Sequence, residues 1–399
     1  MQLPYFVLQK TTPYGRLGTL VTAHGNISTP CFFFCATKAT IKGIDAQAME
    51  TLRTPVLLAN TYHLMLHPGP NVIAQAGGLG AFMGWRGPTY TDSGGYQIFS
   101  LGYGCVSQEI KGSPRSERYL RISEKGAEFF SYRDGTKWCL TPELSIHVQQ
   151  ALGADCIFTL DECTPYHISY DQTRVAMERS HRWAQRSLSE FLREDAPYKK
   201  SYQGLYGISQ GGIYPQLRRT SVEFLNATDF FGHGIGGSLG TTSKEMGEVL
   251  DMALEGLCLN RPIHLLGIGK IEDIFDGVMK GIDTFDCVIP TRLGRHGGAL
   301  IMPHYWKSAQ ESYHARTSIN LLKSCFRNDH RPIDESCLCP TCQRYTRAYL
   351  HHLMKSKEIT GGACLTLHNV FFMNTMMAAI REGIAADSVA QVRTHWLGR

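Results

Sequence analysis

The stretch DTFDCVIPTRLGR, Asp283 to Arg295, decides how this chain folds. A short apolar run, Cys287, Val288 and Ile289, has the carboxylate of Asp286 in front of it and Arg292 and Arg295 just behind Pro290. Phe285 to Val288 has the length and composition of a strand buried on both faces, as in a parallel sheet. It is the last of eight such runs, the strand count of a closed (β/α)8 barrel. A doubly wound open sheet is the alternative.

The other runs are Cys31 to Cys35, Val56 to Ala59, Pro88 to Thr91, Cys156 to Leu160, Leu205 to Ser209, Gly232 to Ile235 and Ile263 to Leu266. Between them lie segments with helical spacing of apolar residues: SIHVQQALG, TRVAMERSHRWAQRSLSEFLR, TSKEMGEVLDMALEGL and IEDIFDGVMKG. Thr241 to Ser243 offers a cap for the third, with Glu245 in its first turn. Alternating β and α elements in this order predict an α/β fold, a (β/α)8 TIM barrel. Residues 1–30 read as β-hairpin material with Pro-Tyr-Gly and His-Gly-Asn turn signals, residues 31–305 as the barrel, and residues 306–399, rich in His, Cys and Arg, as an appended subdomain with closing helices.

With 399 residues and 43% apolar content, the chain affords a large core. Its uninterrupted apolar stretches, such as CFFFCA at Cys31 to Ala36, fall short of the roughly 20 residues of a membrane span. MQLPYFVLQK has no signal-peptide pattern, so a cytoplasmic protein with no membrane partner is expected. A net charge of +5 permits an anionic partner without demanding one. Thirteen cysteines, an odd count, argue for reduced thiols and a metal site over a disulfide framework. No fixed-period repeat or low-complexity tract suggests a solenoid.

In a barrel the C-terminal strand ends build the active site. Here they carry NTYH, DSGGYQ, DECTPY, QGG, GGSLG and GIGK, and Asp286 lies within the eighth run. Asp92 is either the opener of an Asx-turn or a working carboxylate; Asp161 either caps a helix or accepts the paired N–H donors of a guanine edge; Gln210 either ties two loops or meets a planar heterocycle. Asp286 is either an ion-pair partner of Arg292 or Arg295 or a reactive group. Three carboxylates at one mouth repel one another unless a substrate or cation intervenes, and paired carboxylates are what glycosidic-bond chemistry uses. The arginines could then face phosphate. CLCPTC supplies Cys337, Cys339 and Cys342, three ligands of a structural zinc site, with a redox dithiol as the alternative. Spacing leaves the fourth ligand open among His351, His352 and His368.

These motifs, DSGGYQIFSLG, DECTPY, GISQGGIYPQLR, GIGK, DTFDCVIPTRLGR and the C-x-C-x2-C cluster with a later histidine, resemble the tRNA-guanine transglycosylase family over about residues 30 to 385. The resemblance implies a (β/α)8 barrel with a zinc-binding subdomain and exchange of the wobble guanine of G-U-N anticodon tRNAs for a 7-deazaguanine base. It implies Asp286 as the nucleophile forming a covalent ribosyl intermediate and Asp92 as the general acid and base. Asp161, Gln210 and the Gly237 backbone would read the base, with Tyr96 and Leu266 on its two faces. Arg292, Arg295 and Lys270 would face the RNA, and Cys337, Cys339, Cys342 and His368 would hold structural zinc. The family forms homodimers, and a homodimer is the expectation here.

The sixth strand-end loop reads GGSLGTT, where the bacterial pattern is Gly-Gly-Leu-Ala-Val-Gly-Glu and the eukaryotic one Gly-Gly-Leu-Ser-Gly-Gly-Glu. Gly240 in place of the bacterial valine predicts room for the bulky substituent of queuine, and Thr242 in place of glutamate weakens the case for its 7-aminomethyl precursor. Leu266 replaces a methionine of similar volume. A non-catalytic tRNA-binding subunit of the same family is the main rival, opposed by the presence of both Asp286 and Asp92. An archaeal-type enzyme acting deeper in the tRNA would need a further RNA-binding domain. A zinc-dependent barrel hydrolase would need metal ligands at the strand ends, where His63 stands alone.

Overall fold

The computed structural model describes residues 3–103, 120–166, 168–237, 239–240, 242–303 and 317–398. The expected boundary at 305/306 lies outside these residues. The N-terminal segment is a three-stranded antiparallel sheet, one strand more than a hairpin: β1 (Tyr5–Thr12), β2 (Gly15–Thr22) and β3 (Gly25–Thr29). There follow β4 (Cys31–Cys35), β5 (Leu57–Ala59) and β6 (Thr89–Thr91), a small antiparallel sheet β7 (Leu120–Ser123), β8 (Gly126–Phe130) and β9 (Lys137–Leu140), and then β10 (Cys156–Phe158), β11 (Gly204–Ser209), β12 (Gly232–Ile235), β13 (Ile263–Leu265) and β14 (Thr284–Cys287). β4, β5, β6 and β10 to β14 form a closed parallel barrel. Closure is made by β14 on β4, with Asp286 opposite Phe33.

All eight expected strands are present, several one or two residues shorter. Leu160 and Leu266 lie beyond the last paired residues, and Val288 turns into the αR region to start the helix Ile289–Arg295. Pro290 sits in the first turn of that helix, where its missing N–H costs no hydrogen bond. The four expected helices become Pro142–Leu152, Tyr170–Leu192, Ser243–Leu254 and Ile271–Met279. Thr242 caps the third: its hydroxyl accepts from Glu245 N at 3.2 Å, and the Glu245 carboxylate accepts from Thr242 N at 3.0 Å. The β7–β9 sheet, inserted between β6 and β10, was not foreseen from the sequence.

Aromatic rings fill the barrel. Phe33 packs on Tyr90 with centroids 4.6 Å apart and Phe158 on Tyr206 at 5.0 Å, while the two tyrosine hydroxyls bond to each other at 3.2 Å. Leu20 of β2 and Ile27 of β3 join this cluster from the N-terminal end of the barrel. There the buried Arg16 of β2 forks onto the buried Asp283, whose carboxylate also accepts from Ile263 N at 2.6 Å. Removing one partner leaves the other charge buried and unpaired. Arg16→Met is therefore expected to destabilise the protein by about 3–5 kcal/mol, measurable as a drop in the denaturant midpoint.

The C-terminal part pairs β15 (Gly298–Leu300) with β16 (Ser318–Asn320) and ends in helices Arg347–Lys355, Ile359–Ala385 and Val389–Leu397. The middle helix is shared between two cores. Cys364 and Leu365 pack in the C-terminal cluster, whereas Met373, Met376, Met377, Ile380 and Ile384 pack on the barrel. It is also long and apolar enough to cross a membrane, with mean hydropathy 1.3, although uninterrupted apolar runs in the sequence gave no sign of it; 61% of that window is buried inside the protein. Burial on both cores accounts for its apolar composition.

Candidate active site and metal centre

Four strand ends bring the expected polar residues to one mouth. Asp92 follows β6 directly, and its carboxylate accepts from the Asn60 side chain, from Thr61 N at 2.8 Å and from Gln97 Nε2 at 2.8 Å. Burial pushes this carboxyl up to about 6 against those three donors, and the charge of Asp286 pushes the same way. Asn60 and Gln97 were not singled out from the sequence, although both lie in strand-end motifs that were, NTYH and DSGGYQ.

Asp161, buried behind β10, accepts from Gln210 Nε2 at 2.6 Å, Ser93 Oγ at 3.3 Å and Cys163 Sγ at 3.4 Å. Burial raises its carboxyl to about 6 as well. Glycine backbone lies against this pair. A Cβ on Gly95 would stand 2.5 Å from Asp161 Oδ1, and one on Gly237, where φ is +86°, would stand 2.8 Å from Gln210 Oε1. Both positions thus need glycine for close approach. Behind them the fully buried Arg218 donates to the carbonyls of Ser209, Gly212 and Gly236, tying the β11 and β12 loops together. Arg218 was missed because nothing in GISQGGIYPQLR marks its last residue as buried.

Asp286 lies on β14, its side chain half-buried and facing the mouth. Oδ1 receives Gly267 N–H at 3.0 Å and His264 Nε2–H at 3.1 Å, and Oδ2 lies 3.6 Å from Cys35 Sγ. Among the described residues its side-chain partner is the His264 ring, through a hydrogen bond; neither Arg292 nor Arg295 pairs with it. Arg292 is exposed, and Arg295 is held below its ordinary range by burial and by the nearby Arg292 charge. Lys270 is exposed at the start of the helix Ile271–Met279. Tyr96, 50% exposed, opens the helix Gly95–Tyr103, and Leu266 packs from the β13 end onto the aromatic cluster.

Gly240 serves the loop itself. Its φ is +102°, and a Cβ there would stand 2.5 Å from Glu245 Cβ and 3.2 Å from Tyr166 Cε2. A valine at this position strains the backbone and disturbs the Thr242–Glu245 cap before it alters any base pocket. Choice of base is therefore better tested by offering bases than by substituting Gly240.

In the C-terminal part, Cys337, Cys339, Cys342 and His368 place their ligand atoms within 4.8 Å of one another. His368 Nδ1 lies 3.8, 3.4 and 3.3 Å from the three sulfurs, and Nε2 donates to Leu300 O at 2.7 Å. Three thiols converging on a ring nitrogen whose partner nitrogen is anchored fit a tetrahedral metal ion. His351 instead spends Nδ1 on Leu321 O at 2.6 Å. Asn369, next to the ligand His368, donates to Pro290 O at 2.9 Å and Gly298 O at 3.1 Å and accepts from Leu300 N at 2.8 Å. The metal centre is thereby tied to the helix that carries Arg292 and Arg295.

A sequence profile described as queuine tRNA-ribosyltransferase matches residues 11–399. The chain belongs to that family. A queuine tRNA-ribosyltransferase of Roseiflexus (strain RS-1) is 42% identical over 98% of this chain and 99% of its own length. That of Halothermothrix orenii is 40% identical over 96% and 93%, and that of Lactococcus lactis subsp. cremoris (strain SK11) 37% over 100% and 96%. Membership carries the activity class, tRNA-guanine transglycosylation, and makes the chain a transferase with tRNA as substrate.

Proposed function

We propose that this enzyme exchanges the wobble guanine of G-U-N anticodon tRNAs for a 7-deazaguanine base through a covalent ribosyl ester on Asp286. The arrangement of two carboxylates carries the reading: Asp286 faces the mouth with one oxygen anchored, while Asp92, raised to about 6, stands within reach of its charge. Asp92 protonates the departing guanine and takes a proton from the incoming base. A carboxyl poised near 6 holds both forms in useful amounts near neutral pH. Ionised Asp286 favours the protonated Asp92 before attack; once Asp286 is esterified that charge is gone, and Asp92 shifts toward the base form needed next. Asp161, Gln210 and the Gly237 backbone supply the polar edge for the base, with Tyr96 and Leu266 on its faces. Arg292, Arg295 and Lys270 face the RNA backbone. The target base must leave its stack to reach the mouth, which is easiest in an anticodon loop. Zinc is the ion proposed for the Cys337, Cys339, Cys342 and His368 set, with a structural role.

The two half-reactions test the reading. Release of labelled guanine from a G-U-N tRNA requires protonated Asp92, so its single-turnover rate should fall as pH rises above about 6. Capture of the incoming base requires ionised Asp92 and starts from esterified Asp286, whose lost charge no longer raises Asp92, so that rate should fall with acid only at a lower pH than the one at which release falls. Half-reactions that are flat between acidic and mildly basic pH would remove Asp92 from this role. Offering queuine and its aminomethyl precursor separately identifies the base; no exchange with either favours the non-catalytic tRNA-binding subunit.

A further inference from the structure

His264 has no part in the chemistry assigned above, yet it touches the proposed nucleophile. It is the middle residue of β13, fully buried, with its ring between Phe33 and Phe158 at centroid distances of 5.2 Å each. Its two nitrogens are both engaged, Nδ1 with Thr284 Oγ1 at 2.9 Å and Nε2 with Asp286 Oδ1 at 3.1 Å. An ionised carboxylate only accepts, so the Nε2 proton points at Asp286. In the neutral ring Nδ1 then accepts from the Thr284 hydroxyl. Register explains the alignment: His264 is paired with Thr284 on the neighbouring strand, and Asp286 lies two residues further along the same face. The three side chains form one line from the barrel interior to its mouth.

The two oxygens of Asp286 are treated differently. Oδ1 receives two N–H donors, from His264 and Gly267, whereas Oδ2 meets the Cys35 thiol, a weak donor, at 3.6 Å. Turning the carboxylate part-way about its Cβ–Cγ bond would break both N–H bonds at once.

We propose that His264 is a positioning residue that holds Oδ1 and leaves Oδ2 as the attacking oxygen, with Thr284 fixing the imidazole tautomer. This rests on Asp286 being the nucleophile. Oδ2 then forms the bond to C1′ of the target ribose as the C1′–N9 bond breaks; that electron pair leaves with guanine, which takes a proton from Asp92. On the return, the incoming base gives its proton to Asp92 and bonds to C1′, and the C1′–Oδ2 pair goes back to the carboxylate. A nucleophile free to rotate loses alignment, and misplacement on the order of 1 Å costs about 10²-fold.

The experiment follows single-turnover formation of a denaturation-resistant enzyme–tRNA adduct on a G-U-N tRNA, alongside the tRNA dissociation constant. His264→Phe fills the aromatic slot without a donor and is expected to slow adduct formation about 10²-fold with tRNA affinity unchanged. His264→Gln returns an N–H near the position of Nε2 and is expected to recover most of that loss, which a purely packing role would not allow. Thr284→Val, close in shape, is expected to slow the step less, again at unchanged affinity. A wild-type rate in His264→Phe, or a glutamine variant as slow as the phenylalanine one, overturns the proposal. If His264→Phe fails to fold, Thr284→Val decides, and a wild-type rate there overturns it. Adduct formation by Asp286→Ala would overturn the nucleophile assignment itself, an outcome distinct from failure of the positioning role.

Discussion

Asp286→Asn is expected to abolish base exchange, by about 10⁴-fold or more, while leaving the fold and tRNA affinity near wild type. An amide oxygen can still accept from His264 Nε2 and Gly267 N, so the local hydrogen bonds that hold position 286 survive. What is lost is the anionic oxygen that attacks C1′. The residues proposed to face the RNA, Arg292, Arg295 and Lys270, make no described ion pair with Asp286, so binding should not follow activity down. The substitution also removes the negative charge that helps raise Asp92, so Asp92 should titrate lower in this variant. The check is guanine exchange and filter-bound tRNA measured on the same preparation. Residual exchange above about one-hundredth of wild type would assign the attack to another group, and loss of tRNA binding in a folded variant would make Asp286 a binding residue.

Cys339→Ser is the second change of large expected effect. Structural zinc contributes folding energy directly, about 10–16 kcal/mol apparent in small zinc modules. Cys339 is fully buried, with its sulfur 3.4 Å from His368 Nδ1. Its loss is expected to strip the metal and destabilise the C-terminal part by upwards of about 5 kcal/mol. The consequence should reach the RNA face. His368 and Asn369 hold Leu300, Gly298 and Pro290, and a Cβ on Gly294 would stand 2.6 Å from Thr366 N, so the helix Ile289–Arg295 rests directly on the helix that carries His368. Metal analysis should give one zinc per wild-type chain and none in the variant, with a lower melting temperature and weakened tRNA binding. A variant that loses zinc but keeps both stability and tRNA affinity would show the centre to be dispensable.

The eight barrel strands were legible because parallel strands buried on both faces leave continuous apolar runs, and their spacing by helix-patterned segments predicts the topology. The β7–β9 sheet was not legible. Its strands are only partly buried, with intermediate and exposed positions mixed, so no continuous apolar run announces them. The membrane-length apolarity of Ile359–Ala385 was hidden for a related reason: polar residues such as His368 and Asn369 interrupt the run, and both are buried with partners that only the fold supplies. At the site, Asp92, Asp161, Gln210 and Asp286 stood at strand ends, where a barrel places its chemistry. Asn60 and Gln97, which donate to Asp92, stood in the same strand-end motifs but are ordinary amides until the loops converge, and Arg218, which ties the carbonyls of those loops together, carries no local mark of burial.

By itself, then, the amino-acid order determined the alternation of β and α elements, the strand ends that carry the carboxylates, and the spacing of three of the four residues in the candidate metal site. Tertiary structure decided what depends on proximity across the chain. Among the described residues it brought His368 to the three sulfurs as the fourth member of the candidate metal site, whereas His351 spends Nδ1 on Leu321 O. It gave Asp286 to His264 instead of the arginines a few residues away, because strand register aligns side chains on one face whereas the helix after Pro290 carries Arg292 and Arg295 away from it. And it raised Asp92 to about 6, because a carboxyl takes its acidity from burial, donors and neighbouring charge, none of which is a property of its own position in the sequence.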